Sequence, residues 1–261
     1  MITGSDKLHI KLNLLMEKEM KINEKQTVFN DGIGYIQLLG VFGDDKVVVD
    51  AARVSMHKES DQYTDNQNQR LINYLLNNNH FTPVCHPQIR LRILMPILVA
   101  RQWFKHNIGI VRNEESRRYV DYLPQVFTPD TWRSRAERVK QGSIDEPVVN
   151  SAMVQRAYEN SIKVALDTYE FMLANDVAPE LARSVLPQSC YVEFVETISL
   201  QAMLRVIHLR TDSHAQKEIQ LYAKVYESIV REHFPMVWNA LQPNKVEVSK
   251  SWFEKLLFWR K

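Results

Sequence analysis

The chain has 261 residues, 25% of them charged and 45% hydrophobic, with a formal net charge of +2. These values fit a globular enzyme of one large domain or of a domain with extensions, and so balanced a charge gives no argument for nucleic acid on its own. Its two cysteines, Cys85 and Cys190, form no zinc spacing and no disulfide framework, so a reducing compartment is expected.

Residues 1 to about 30 are polar and mixed and suggest an extension over 1–33. Tyr35 to Phe42 reads as a strand between Gly34 and Gly43, and Val47 to Val54 as a helix despite its β-branched run. His57 to Asn68 reads as a polar loop. Arg70 to Asn79 carries Leu71, Ile72, Leu75 and Leu76 at helical spacing. Gln88 to Met95 alternates Ile89, Leu91 and Ile93 with Arg90 and Arg92, the pattern of a strand. Ile97 to His106 follows as a helix, with Pro96 tolerated at its start.

Tyr119 to Phe127 reads as extended and Arg133 to Ser143 as charged surface. A long helix is expected over Val149 to Asn175, and a short one over Pro179 to Leu186. A strand follows over Cys190 to Thr197, then helices over Leu200 to Leu209 and His214 to Phe234. The main domain then runs over 34–242. The 243–261 tail carries Trp252, Phe253, Phe258 and Trp259 and reads as docking on the body rather than on a membrane. Strands and helices mix without regular alternation. The expected fold is therefore α+β, a small, mostly antiparallel central sheet flanked by helices, with a long helical C-terminal half. Apolar runs such as Ile93 to Ala100 are too short to span a bilayer. Asp6, Lys7, Glu17 and Glu19 break any signal-peptide pattern, so a cytoplasmic location is expected.

Seven glycines supply neither a G-x-G-x-x-G nor a P-loop pattern. A bound phosphate would have to be held by arginine and lysine side chains. Arg101 to Tyr119 concentrates such groups: Arg101, Gln102 and Lys105, then Arg112, Arg117 and Arg118 beside Glu114 and Ser116. Taken alone, this run reads more readily as a solvated charged face. A second cluster runs from His208 to Gln216, where Asp212 or Ser213 can cap the helix expected from His214. His208 and His214 lack a third ligand, so no metal site is expected. A third cluster spans His80 to His86. Neither cysteine has an obvious histidine or asparagine partner, so no thiol nucleophile is indicated.

Five segments in order resemble the flavin-dependent thymidylate synthase family, over about Gly34 to Leu241. They are Ala51-Ala-Arg-Val-Ser55, His80-x-Thr82-Pro83-x-x-His86, the run from Arg101-Gln102 through Asn113-Glu114-Glu115-Ser116-Arg117-Arg118-Tyr119, Ala182-Arg183-x-x-Leu186-Pro187, and Leu209-Arg210-x-Asp212-Ser213-His214-Ala215-Gln216. The resemblance implies methylation of dUMP to dTMP, with FAD as cofactor and NADPH and methylenetetrahydrofolate as co-substrates. It implies a homotetramer with shared active sites; the balanced charge and short apolar runs add the expectation of no nucleic-acid or membrane partner. By resemblance, Arg183 and Arg118 hold the dUMP phosphate with Gln102, Ser116, Arg117 and Lys105. Glu114 meets the ribose and Arg210 faces the uracil, so Arg210, Ser116 and Glu114 stand as the catalytic set. On the flavin side the matched positions are Ser55, His80, Thr82, Lys105, His106, Asn107, Ile108, Ser199 and Arg205.

The chain departs from the family pattern at several points. Lys105-His106-Asn107 stands for Arg-His-Arg, and Cys85 for a glutamate. Ser199 and Arg205 replace frequent asparagines, and the spacer before Asn113 is one residue longer. Arg205 or Arg112 is the expected substitute for the cation absent at Asn107. The alternatives are a UMP methylase or dUMP hydroxymethylase on the same scaffold, a nucleic-acid-binding module built on Arg112, Arg117 and Arg118, and an inactive structural relative.

Overall fold

The computed structural model describes residues 20–136 and 142–242. Its centre is a five-stranded antiparallel sheet in the order β1-β2-β3-β7-β4. The strands are β1 (Lys25–Thr27), β2 (Tyr35–Phe42), β3 (Gln88–Pro96), β4 (Ile110–Glu114) and β7 (Tyr191–Ser199); β5 (Arg133–Arg135) and β6 (Ser143–Pro147) pair separately. The α+β expectation, with its antiparallel central sheet, is met.

β3 shows why the sheet forms here. Ile89, Leu91, Ile93 and Met95 have no exposed surface, while Arg90 and Arg92 point outward. A period of two puts one face in the core, and each buried aliphatic contributes roughly 1.5–3 kcal/mol. β7 repeats the pattern with Val192, Phe194, Glu196 and Ile198 inward. Helix α7 (Lys217–His233) covers that face with Ile219, Tyr222, Tyr226 and Ile229, all without exposed surface.

β3 and β7 each run directly into a helix. Pro96 opens α3 (Ile97–Trp103), and the Ser199 hydroxyl caps α6 (Leu200–Arg210) by accepting from Ala202 N at 3.3 Å. Because Pro96 pairs with Tyr191 and Gln88 with Ser199, the two helices leave from opposite ends of the strand pair. Their C-termini converge where Arg210 meets Gln102 and His106.

Several expectations shift. The first helix among the described residues, α1 (Asp45–Arg53), starts two residues before the expected Val47 because the Asp44 side chain caps Lys46 and Val47. The expected loop 57–68 is cut short: a capping box of Thr64 and Gln67 starts α2 (Asp65–Asn77) inside it. The segment 119–127 is mostly irregular, with Val126 bridging Cys190. The charged stretch 133–143 holds β5 and the start of β6, with 137–141 outside the described residues.

The long helix is α4 (Ser151–Ala174), and the short one divides into α5 (Pro179–Ala182) and a 3-10 turn over Arg183–Val185. The last long helix begins at Lys217 rather than His214. Asp212 does not cap it but accepts from the His214 amide at 2.8 Å in a local turn. The last helix among the described residues, α8 (Pro235–Leu241), is capped from α1, whose Asp45 carboxylate accepts from Met236 N and Val237 N at 2.8 and 3.0 Å. In the polar opening segment β1 pairs with β2, and Met20, Val28 and Phe29 are buried. The opening 1–19 and the aromatic tail 243–261 lie outside the described residues. Among the described residues no helix is long and apolar enough to cross a membrane.

Candidate functional site

A cavity of about 390 Å³ opens where β4 ends, beside the start of β7. Glu114, Ser116, Arg117 and Arg183 line its polar side, and Ile97 and Tyr191 its apolar side. Glu114 is the last residue of β4. Beyond it the chain turns on Ser116, whose carbonyl accepts from Tyr119 N at 3.0 Å and whose hydroxyl accepts from Arg118 N at 3.3 Å. Arg183 comes from the turn after α5, where its Nε donates to the Glu180 carbonyl at 3.2 Å. Burial raises the Glu114 carboxyl above the ordinary carboxylate range, and Arg183 draws it back. Arg118 pairs with Glu180 at 3.1 Å, but both are half exposed, so the pair contributes little to stability.

Arg117 is less free than its place in the motif suggests. It donates to the Tyr122 carbonyl, lies 4.5 Å over the Tyr122 ring and faces Glu115 at 4.0 Å. It shapes the turn as well as lining the cavity.

The second group forms at the convergence of α3 and α6. His106 is 6% exposed. Its Nε2 accepts from Arg210 Nε at 2.8 Å, and Arg210 Nη2 reaches the Gln102 carbonyl at 3.5 Å. Burial first, then the charges of Arg210, Arg205 and Arg112, lower the His106 pKa to about 4, so the ring is neutral at pH 7. Gln102 donates through Nε2 to Gln216 Oε1, and Gln216 Nε2 donates to Glu218 at 2.8 Å. Arg133 closes this chain with donations to both Glu218 oxygens at 2.8 and 3.1 Å. The cavity lining includes neither Gln102 nor Arg210. A single chain therefore divides the expected nucleotide residues between two groups.

The flavin-side candidates lie mainly on exposed turns. Ser55 sits in the 3-10 turn Val54–Met56, with its hydroxyl donating to the Ala52 carbonyl at 2.9 Å. His80 precedes and Thr82 opens the turn Thr82–Cys85, which packs against α1 and α6. Lys105, Asn107 and Ile108 are exposed on the loop between α3 and β4, and Arg205 Nη2 donates to the Ile108 carbonyl at 3.1 Å. Exposed apolar side chains stand among them: Val54 at 73%, Met56 at 54%, Phe81 at 49% and Ile108 at 70%. Donors interleaved with exposed apolar groups on adjoining turns suit a large, flat, phosphate-bearing heterocycle. Ser199 differs, being 5% exposed and occupied as the α6 cap.

Two features escape motif reading. Glu196 is buried and bound by Arg112, Tyr226 and Trp103. Its signal is parity, since it shares the inward phase of Phe194 and Ile198. Arg112, read among surface cations, is internal: β4 pairs it directly across from Glu196.

A family model described as "Thymidylate synthase complementing protein" matches residues 37–236. A flavin-dependent thymidylate synthase from Thermosipho africanus is 38% identical over 212 residues, 79% of this chain and 90% of that protein. One from Thermus thermophilus is 34% identical over 218 residues, 82% of this chain and 77% of that protein. Among solved structures, the UMP/dUMP methylase PolB from Streptomyces cacaoi bound with 5-Br dUMP is similar at TM-score 0.72 and 26% identity. That similarity covers 85% of this chain and 96% of the PolB chain. PolB bound with 5-Br UMP is similar at TM-score 0.70 and 25% identity, covering 85% of this chain and 95% of that one.

Proposed function

The chain belongs to the thymidylate synthase complementing protein family, and from that premise we propose that it is a flavin-dependent thymidylate synthase converting dUMP to dTMP. The carrying observation is the cavity that gathers Glu114, Ser116, Arg117 and Arg183 on one polar wall. Its volume falls within the ordinary range of small-molecule sites. Arg183, with Arg118 from the same turn as Ser116, would neutralise the phosphate, and Ser116 and its turn would orient it. Glu114 would accept from the ribose.

Arg210, aimed by neutral His106, would face the uracil with Gln102 and Lys105. Pyrimidine C5 becomes nucleophilic as charge gathers on the ring carbonyls, and a fixed guanidinium stabilises that charge. The flavin, proposed as FAD, supplies the reducing chemistry when bound. It would be held by Ser55, His80, Thr82, Lys105, His106, Asn107, Ile108 and Arg205, with Ser199 shaping the loop behind them. NADPH and methylenetetrahydrofolate are the proposed co-substrates.

Because one chain splits the nucleotide residues between two groups, a homotetramer with shared sites is proposed. The α4 helix supports it: Tyr169 alone is buried there, while Met153, Val164 and Phe171 are more than 60% exposed. The proposed location is the cytoplasm.

An anaerobic assay with FAD, NADPH, dUMP and methylenetetrahydrofolate tests the reading. dTMP is the expected product, and flavin oxidation without dTMP overturns it. The PolB likeness favours one second reading, a UMP/dUMP methylase, which offering UMP in the same assay separates. The nucleic-acid reading is less supported, because Arg112 pairs with buried Glu196 and Arg117 is tied to its own turn, which leaves Arg118 as the exposed member of the three.

A further inference from the structure

Glu196 does not line the proposed nucleotide cavity. It lies on β7 with no exposed surface. A buried carboxylate is costly to desolvate, and three donors offset that cost. They are Arg112 Nε, the Tyr226 hydroxyl and, at 3.3 Å, the Trp103 indole nitrogen. The strand register makes Arg112 and Glu196 direct cross-strand partners. Replacing a buried ion pair by apolar residues is often neutral or stabilising, so packing alone does not account for this pair.

Its geometric effect is specific. Arg112 Nη1 donates to the His106 carbonyl at 2.5 Å, and the guanidinium stands 5.2 Å over the Phe104 ring. The sheet thereby holds the end of the α3 turn from within. The His106 ring then accepts from Arg210. Arginine only donates, so His106 Nε2 must be bare and its proton must sit on Nδ1.

We infer that the Arg112–Glu196 ion pair is a positioning device: it fixes the His106 backbone so that the imidazole presents a bare Nε2 that aims the Arg210 guanidinium. The inference rests on the proposed placement of Arg210 against the pyrimidine. Burial and the surrounding guanidinium charges act in the same direction by keeping the ring uncharged.

The test uses the full chain. Arg112→Lys keeps the buried charge pair but loses the planar fork that reaches Glu196 and the His106 carbonyl together. The double variant Arg112→Met with Glu196→Gln removes both charges, so neither is left buried alone. Nitrogen-15 NMR of the imidazole, recorded without nucleotide, reads the His106 tautomer. Both variants are expected to fold, to lose the single Nδ1–H tautomer, and to lose kcat by about 100-fold with dUMP KM little changed. Combined with Arg210→Lys, the losses are expected to be far from additive. An unchanged tautomer or a purely additive loss overturns the inference. If the wild-type enzyme makes no dTMP, the nucleotide reading fails instead, and the tautomer still decides the positioning claim.

Discussion

Arg210 and His106, 104 residues apart in sequence, are joined by a 2.8 Å hydrogen bond in which the guanidinium Nε donates to the ring Nε2. The contact needs a neutral histidine, because a protonated ring has no acceptor. Two helices that start at opposite ends of one strand pair meet at this bond, so it also reports whether the sheet and its helices are correctly assembled.

Acid should therefore weaken the fold through His106. Its folded pKa, about 4, lies below the ordinary histidine value of 6.5. The folded state binds the proton less well than the unfolded chain. The stabilisation is present above about pH 6.5 and is lost as pH falls towards 4, amounting to roughly 2 kcal/mol after allowance for solvent screening. Urea unfolding of wild type and His106→Gln at pH 7 and pH 4.5 isolates it. The gap between the two proteins should shrink at the lower pH, and a constant gap would contradict the assignment.

Arg183 is expected to act mainly on substrate binding. It lines the cavity and opposes the rise in the Glu114 carboxyl pKa. Arg183→Ala should raise the KM for dUMP by at least about tenfold, the loss of one charge-assisted phosphate contact. Steady-state kinetics at saturating flavin checks this, and an unchanged KM would remove Arg183 from the phosphate site.

Gly109 sets the turn that leads from α3 into β4. Its φ is +75°, and an added Cβ would lie 2.7 Å from Ser199 Oγ and 3.2 Å from Ala202 Cβ. Gly109→Ala meets both backbone strain and a collision with the α6 cap. A loss of roughly 2 kcal/mol in stability is expected, read by thermal or urea unfolding. Flavin affinity should fall with it, since Ile108 and Asn107 share the loop. A variant as stable as wild type would show that the loop adapts.

The two thiols should be dispensable. Burial raises the Cys190 pKa to about 11 and also lifts that of Cys85, so neither is a thiolate at neutral pH. The native protein should resist iodoacetamide at pH 7.5. The double variant Cys85→Ala, Cys190→Ala should keep dTMP formation within about threefold. A complete loss of turnover in a folded variant would reopen the case for a thiol nucleophile.

Much of the chain was legible from side-chain pattern alone. β3 declared itself because strict alternation of aliphatic and arginine residues can bury only one face. The order of five motifs carried the family, and the residue types at Glu114, Ser116 and Arg183 pointed to an anionic, hydroxylated ligand. These are local or compositional properties, which a linear chain already contains. β4 was not legible, because Ile110-Val111-Arg112-Asn113-Glu114 becomes a strand only by pairing with β7, whose partner residues lie 80 to 88 positions later in the chain. That pairing turned Arg112 from a surface cation into the partner of a buried carboxylate. The meeting of Arg210 with His106, and the separation of both from the Glu114 cavity, also arise only when helices and strands pack. Residue identity determined which chemistry was available to this protein. The tertiary structure decided which charges were buried, paired and aimed, because desolvation and hydrogen-bond geometry depend on neighbours that sequence distance does not reveal.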